Sequence, residues 1–127
     1  MYLPQIKDGK TASRYALGAY IVVIVTDCES FGMIKYVHVA FVYLPDPTHP
    51  ENKPEVVMAV AAERSTALES DADVCFLGVF PGDGHMNMGA SPDWGDLTKF
   101  TKRALEVITS QLQIKQEPVY IPSHRHD

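Results

Sequence analysis

Two long apolar runs in the first half of the chain restrict its fold more than any other feature. Residues 15–26 read YALGAYIVVIVT and residues 33–44 read MIKYVHVAFVYL, and both are rich in the β-branched and aromatic side chains that favour strands. In the second run, both alternating sets of side chains are largely apolar. Strands of this kind are covered on two sides, so the fold must supply cover for both faces of one sheet.

Later segments of the chain predict further strands of the same sheet. Residues 55–64, EVVMAVAAER, are compatible with a strand or a helix, and their short Val-rich pattern favours a strand. Residues 74–90 predict a β-hairpin whose turn is PGDG at 81–84. Because the links between these segments are short, we expect the strands to form an antiparallel meander.

A single amphipathic helix is predicted after the hairpin. Ser91 is a suitable N-cap and Pro92 a suitable first helical residue, and the pattern ends before Pro118. The apolar stripe has helical spacing and consists of Leu97, Phe100, Thr101, Ala104, Leu105, Ile108 and Leu112. The predicted fold class is therefore α+β, with a meander sheet of about five strands closed by one C-terminal amphipathic helix.

One helix cannot cover the sheet that this pattern predicts. A helix is about 10 Å across with its side chains, whereas a sheet of about five strands is about 20 Å wide. The sheet could curl into a cup, a second subunit could cover it, or a cavity could hold an apolar ligand, and we favour the first two. The candidate interface residues on the uncovered face are Tyr20, Phe41 and Tyr43, together with Tyr36.

Residues 84–91, GHMNMGAS, differ from the phosphate-binding pattern G-x-x-x-x-G-K-[ST] at one position. The glycines and the serine match, but Ala90 stands where the pattern requires lysine. The alternation of Met86 and Met88 also indicates a strand rather than a loop that wraps a phosphate. We therefore do not predict a nucleotide site in this segment.

His85 is the main candidate for acid–base chemistry. It follows Asp83 near the predicted start of the helix, where Asp83 could orient the imidazole and Trp94 could form a pocket wall. An exposed turn histidine is the simpler interpretation. His38 and Tyr36 are further candidates for ligand contact, although a histidine on an apolar strand is more often part of the core. The five histidines show no H-x-x-x-H or H-x-x-E-H spacing, so no metal or cofactor is predicted.

Composition indicates which classes of partner to exclude and which cellular compartment to expect. The net charge of −5 argues against a nucleic-acid partner, and the longest apolar run, 16–25, is too short to span a membrane. The first ten residues show no secretory signal. The two cysteines, Cys28 and Cys75, are too few for a disulfide framework and predict reduced thiols in a cytoplasmic protein.

The 127 residues are predicted to form one domain, with an irregular start at 1–14 and an extended or frayed tail at 118–127. The observations above lead to two hypotheses about its function. The first is a non-catalytic cytoplasmic protein that self-associates as a homodimer, or binds a small apolar ligand, through an apolar sheet face. The alternative is a small enzyme or ligand-binding protein with a cleft near the 81–94 loop, in which His85 acts as acid or base.

Overall fold

The computed structural model describes residues 3–31, 34–65, 75–82 and 84–122. Within these residues, seven strands form one open antiparallel sheet and a single α-helix follows the sixth strand. The predicted α+β class is confirmed, with more strands than the predicted five. The elements are β1 (Ile6–Leu17), β2 (Tyr20–Ser30), β3 (Ile34–Leu44), β4 (Glu55–Ser65), β5 (Cys75–Phe80), β6 (Met86–Ser91), a 3-10 helix (Pro92–Gly95), α1 (Leu97–Gln111) and β7 (Val119–Ile121).

The strands follow one another in space as a meander from β6 to β1, and β7 is added beside β1. The connection from β6 to β7 therefore crosses the sheet from one edge to the other, and α1 forms part of this crossing. Because the sheet is open, self-closure into a cup does not cover its second face. In the described part of the chain, no helix has the length and apolar character needed to cross a membrane.

The first hairpin differs from the prediction. Residues 15–26 are divided between β1 and β2, because Gly18 adopts a φ of 60° and begins a tight turn that pairs Leu17 with Tyr20. A glycine in the first central position suits the two-residue hairpin turn. Residues 6–14, predicted as an irregular start, form the first part of β1, where Ile6 pairs with Ser30.

The remaining strand predictions are confirmed: residues 55–64 are a strand, and β5 and β6 form the predicted hairpin. The helix begins later than predicted. Ser91 caps the 3-10 helix by accepting a hydrogen bond from the Asp93 N–H, and Asp96 caps α1 by accepting one from the Lys99 N–H. The predicted connection at 65–73 and the end of the predicted tail, 123–127, lie largely or wholly outside the described residues.

The main core lies between α1 and one face of the sheet, which we call the helix side. The helix packs over β3 and β4, and Phe100, Ala104 and Ile108 of the predicted stripe are fully buried there. Leu97, Leu105 and Leu112 are only partly buried. The strands contribute Leu17, Val22, Ile24, Ala40, Val42, Met58, Val60, Ala62, Cys75, Leu77 and Val79.

A smaller core lies on the opposite face, which we call the second face. It contains Tyr36, Val39, Ala59, Ala61 and Phe80, with Leu3, Ile6, Cys28 and Phe41 packed against it. The segment around Leu3 therefore covers part of the face that α1 does not reach. This arrangement confirms the prediction that the central strands are apolar on both sides.

The position of Phe100 predicts a large effect of its truncation on stability. Phe100→Ala should lower the free energy of unfolding by about 3–5 kcal/mol, because it removes a fully buried ring from the main core. Phe31→Ala, the same change at a side chain that is 52% exposed, should cost about 0.5 kcal/mol or less. Urea denaturation of both variants measures the difference, and equal losses would contradict this account of the core.

Candidate functional site

The second face carries a row of partly exposed apolar side chains. In an antiparallel ladder, residues directly opposite one another share a face. Ile21 pairs with Tyr43, and Val23 pairs with Phe41. The row continues onto the neighbouring strands, and we call it the open patch: Ala16, Ile21, Val23, Phe41, Tyr43, Val56, Val119 and Ile121.

Two of the four residues predicted for the uncovered face belong to this patch, and Tyr36 is buried in the second-face core. Phe41 and Tyr43 lie on the second face, whereas Tyr20 packs against the core on the helix side. The difference follows from strand alternation, because Tyr20 and Ile21 are neighbours in β2 and point to opposite faces. Val119, on the short strand β7, is the most exposed large apolar residue of the patch, at 63%.

A second feature of this face is a carboxylate–imidazole pair formed by Glu63 and His85. Glu63 Oε1 lies 2.6 Å from His85 Nε2, and the Glu63 side chain is only 9% exposed. Glu63 belongs to β4 and His85 directly precedes β6, so the pair spans the intervening strand β5. Sequence reasoning assigned Asp83 to orient His85, but Asp83 lies outside the described residues.

Gly78 makes room for this pair. A Cβ at position 78 would overlap Glu63 Oε1 and would lie 2.9 Å from His85 Nε2. The Glu63 side chain therefore passes directly over the glycine to reach the imidazole. A glycine inside an otherwise apolar strand indicates the close approach of another group, and this was the sequence signal that could have located Glu63.

Two aromatic rings pack next to the Glu63–His85 pair. The His85 ring stacks on Phe80 with a centroid separation of 4.6 Å and an interplanar angle of 18°. Phe80 in turn meets Tyr36 edge to face at 6.4 Å. The structure therefore places the predicted ligand residue Tyr36 in the same aromatic cluster as His85, and its phenyl partner Phe80 belongs to the second-face core.

Burial controls the titration of Glu63. Removal from water raises the pKa of its carboxyl group above the ordinary value of 4.5, and the hydrogen bond and charge of His85 lower it part of the way back. The folded protein thus holds the Glu63 proton to a higher pH than the unfolded chain does.

His38 has a structural environment. Its Nε2 lies 2.9 Å from the Gly95 carbonyl oxygen, and its Nδ1 lies 2.9 Å from Thr26 Oγ1. Since a carbonyl oxygen can only accept, Nε2 donates to Gly95, and Nδ1 is left to accept from the Thr26 hydroxyl. The imidazole also packs against Phe100. His38 thereby fastens the 3-10 helix to β3.

Trp94 does not join His85. It lies on the 3-10 helix and packs against the helix-side core, whereas His85 stacks on a residue of the second-face core. The predicted cleft, in which Trp94 forms a wall beside His85, is therefore not formed by these two residues. The structure instead brings His85 together with Glu63, Phe80 and Tyr36.

The two cysteines lie on opposite faces of the sheet. Cys28 packs against the second-face core, while Cys75 is buried in the helix-side core. Burial, with a smaller contribution from Asp27, raises the pKa of the Cys28 thiol to about 11, so this thiol is protonated at neutral pH. Among residues 3–31, 34–65, 75–82 and 84–122, no group of three His, Cys, Asp or Glu side chains could hold a metal ion.

No protein-family model, no curated protein and no solved structure matches the chain.

The role of Gly78 can be tested by adding one methyl group. Gly78→Ala should lower the free energy of unfolding by about 1–3 kcal/mol, because the new Cβ displaces the buried Glu63 carboxylate. Gly84→Ala is the matched control, since a Cβ there meets nothing within 4 Å. Adding Glu63→Ala to Gly78→Ala should cost less than the sum of the two single changes, and strict additivity in urea denaturation would contradict the overlap.

The raised pKa of Glu63 predicts a pH-dependent contribution to stability. A raised folded-state pKa adds stability below the unfolded value, and this stability is lost as the pH rises through the folded-state value. The stability of the natural protein relative to Glu63→Gln should therefore fall as the pH rises above the ordinary carboxyl pKa of 4.5. Glu106→Gln, at an exposed position, should show a smaller change. Urea denaturation at a series of pH values measures both, and a relative stability that rises with pH would disprove the prediction.

Proposed function

We propose that the protein works by binding rather than by catalysis, and that its open patch packs against the same patch of a second copy. The observation that supports this homodimer is the row of apolar side chains on strands β7, β1, β2, β3 and β4. They face away from α1 and stay partly exposed in the described structure. Contiguous apolar surface of this kind is typical of protein interaction sites.

The size of the face is suited to a second copy. The open patch extends over five adjacent strands, about 20 Å across, and over about five residues of each strand, about 16 Å along it. Its area is thus on the order of 300–400 Å². A stable interface buries about 800 Å² on each partner, so the patch forms the apolar centre of such an interface and the surrounding residues form its rim.

The chemistry of the patch also favours a copy of the same surface. Arg14 pairs with Val23 and with Ile121 and is the charged residue of a row whose other members are apolar. Its side chain is exposed, so the charged head can extend to the rim of the face while the stem lies along the apolar row. A face on which apolar side chains predominate matches another apolar face better than a charged partner. Two twisted sheets can pack face to face about 10 Å apart, with their inner side chains interdigitated.

The net charge and the cysteines support two further parts of the proposal, the type of partner and the cellular location. The net charge of −5 disfavours a nucleic-acid partner, and the apolar character of the patch suits a protein partner. Both cysteines are free thiols, which fits a reducing compartment, and we therefore propose a cytoplasmic location.

An acid–base enzyme is the second candidate, and the Glu63–His85 pair is the observation that favours it. A carboxylate that bonds one nitrogen of an imidazole fixes the orientation of the ring, as acid–base catalysis requires. Glu63 would then take the orienting role first assigned to Asp83. Trp94 lies on the helix side, so it does not form the pocket wall that the sequence-based hypothesis assigned to it.

Substitutions in the open patch test the homodimer. Tyr43→Lys and Val119→Lys should each convert the dimer to a monomer, because a lysine would be buried without a partner in the apolar interface. Native mass spectrometry and sedimentation velocity report the subunit count. Val119 is 63% exposed, so its substitution should leave the fold intact.

Phe31→Lys is the matched control, since Phe31 is 52% exposed and lies outside the patch. It should remain dimeric. A natural protein that is monomeric, or a dimer that persists in both patch variants, would overturn the proposal.

A further inference from the structure

A groove on the helix side runs between α1 and strand β1. One part of it has a volume of about 480 Å³ and is lined by Ala12, Ser13 and Tyr15 of β1 and by Leu97, Thr98, Thr101, Lys102 and Leu105 of α1. A second part, of about 420 Å³, lies beside Lys102, Leu105, Glu106, Thr109 and Pro118. Lys102 and Leu105 line both parts.

The groove exists because the helix is displaced from the centre of the sheet. α1 packs mainly over β3 and β4, so its side chains that point toward β1 are covered less completely than those over the centre of the sheet. Leu97 and Leu105 belong to the apolar stripe of the helix, yet both remain partly exposed at this position.

Two threonine hydroxyl groups of the lining are bonded to the helix backbone. Thr101 Oγ1 donates a hydrogen bond to the Leu97 carbonyl, and Thr109 Oγ1 donates one to the Leu105 carbonyl, each at 2.7 Å. With their hydroxyl groups bonded to the helix backbone, these threonines leave mainly methyl surface for a ligand. The lining is therefore more apolar than its sequence suggests.

Lys102 provides a cation at the junction of the two parts. In the part of the chain that the structure describes, no carboxylate lies within salt-bridge distance of its ammonium group. Glu106 is one helical turn away but pairs with Arg103, at 3.8 Å. An unpaired cation beside an apolar groove complements an apolar molecule that carries one negative charge.

We propose that this groove binds a linear aliphatic carboxylate, with its carboxylate beside the Lys102 ammonium group and its chain against Leu97, Leu105 and Tyr15. Ligand sites commonly have volumes of about 300–1,000 Å³, and both parts of the groove fall within this range. The site lies on the opposite side of the sheet from the open patch, so it does not depend on the homodimer.

Isothermal titration of the full-length protein with decanoate tests this proposal. Lys102→Gln should weaken decanoate binding about threefold to fivefold, as expected for loss of a partly exposed ion pair. It should leave the binding of 1-decanol unchanged, because decanol has the same chain without the charge. Lys102 is exposed, so the substitution should not disturb folding.

Lys99→Gln is the matched control, since Lys99 lies outside the groove and pairs with Asp93. It should bind decanoate as the natural protein does. Leu105→Gln should weaken both decanoate and decanol, whereas Tyr43→Lys in the open patch should weaken neither. The proposal is overturned if the natural protein does not bind decanoate, if Lys99→Gln has the same effect as Lys102→Gln, or if Tyr43→Lys abolishes binding.

Discussion

A single helix on a much wider sheet is the constraint on which the rest of this structure depends. Seven strands spaced at about 4.8 Å extend over about 30 Å, whereas a helix with its side chains is about 10 Å across. The hydrogen bond from His38 to Gly95 fastens the 3-10 helix to β3 and so fixes where α1 begins. With the helix held over β3 and β4, apolar surface is left uncovered beside β1 and over much of the second face. The groove beside β1 follows from this mismatch in width, and the open patch follows from the position of α1 on the other side of the sheet.

The second face shows how a fold can retain an ionisable pair next to an apolar core. Burying Glu63 is unfavourable, and its raised pKa reflects this cost. The cost is reduced because His85 bonds the carboxylate and Gly78 makes room for it. A buried ion pair seldom stabilises a fold more than apolar residues of the same size would. Its distinctive property is geometric, since it fixes the start of β6 relative to β4.

The sequence was informative where the signal was local. The apolar strands, the Ser91 cap and the helical stripe were each predicted from neighbouring residues, and the structure contains them all. The Gly18 turn was missed because the apolar pattern continues through it, and the first part of β1 was missed because its edge position permits polar side chains. The Glu63–His85 pair was not predicted for a different reason. Gly78 indicates a close approach over β5, but the two partners are brought together by the pairing of β4 with β5 and of β5 with β6, which no local pattern specifies.

The two uncovered surfaces lie on opposite sides of the sheet, and this placement determines how they could operate together. A dimer formed through the second face would bury the open patch of each copy between two sheets. The helices, and with them the Lys102 grooves, would then lie on the outer sides of the assembly, where solvent reaches them. Self-association and ligand binding would therefore not compete for the same atoms. Any influence of one on the other would have to pass through the strands that carry side chains to both surfaces, of which β1 is the clearest, because Tyr15 lines the groove and its neighbour Ala16 belongs to the open patch.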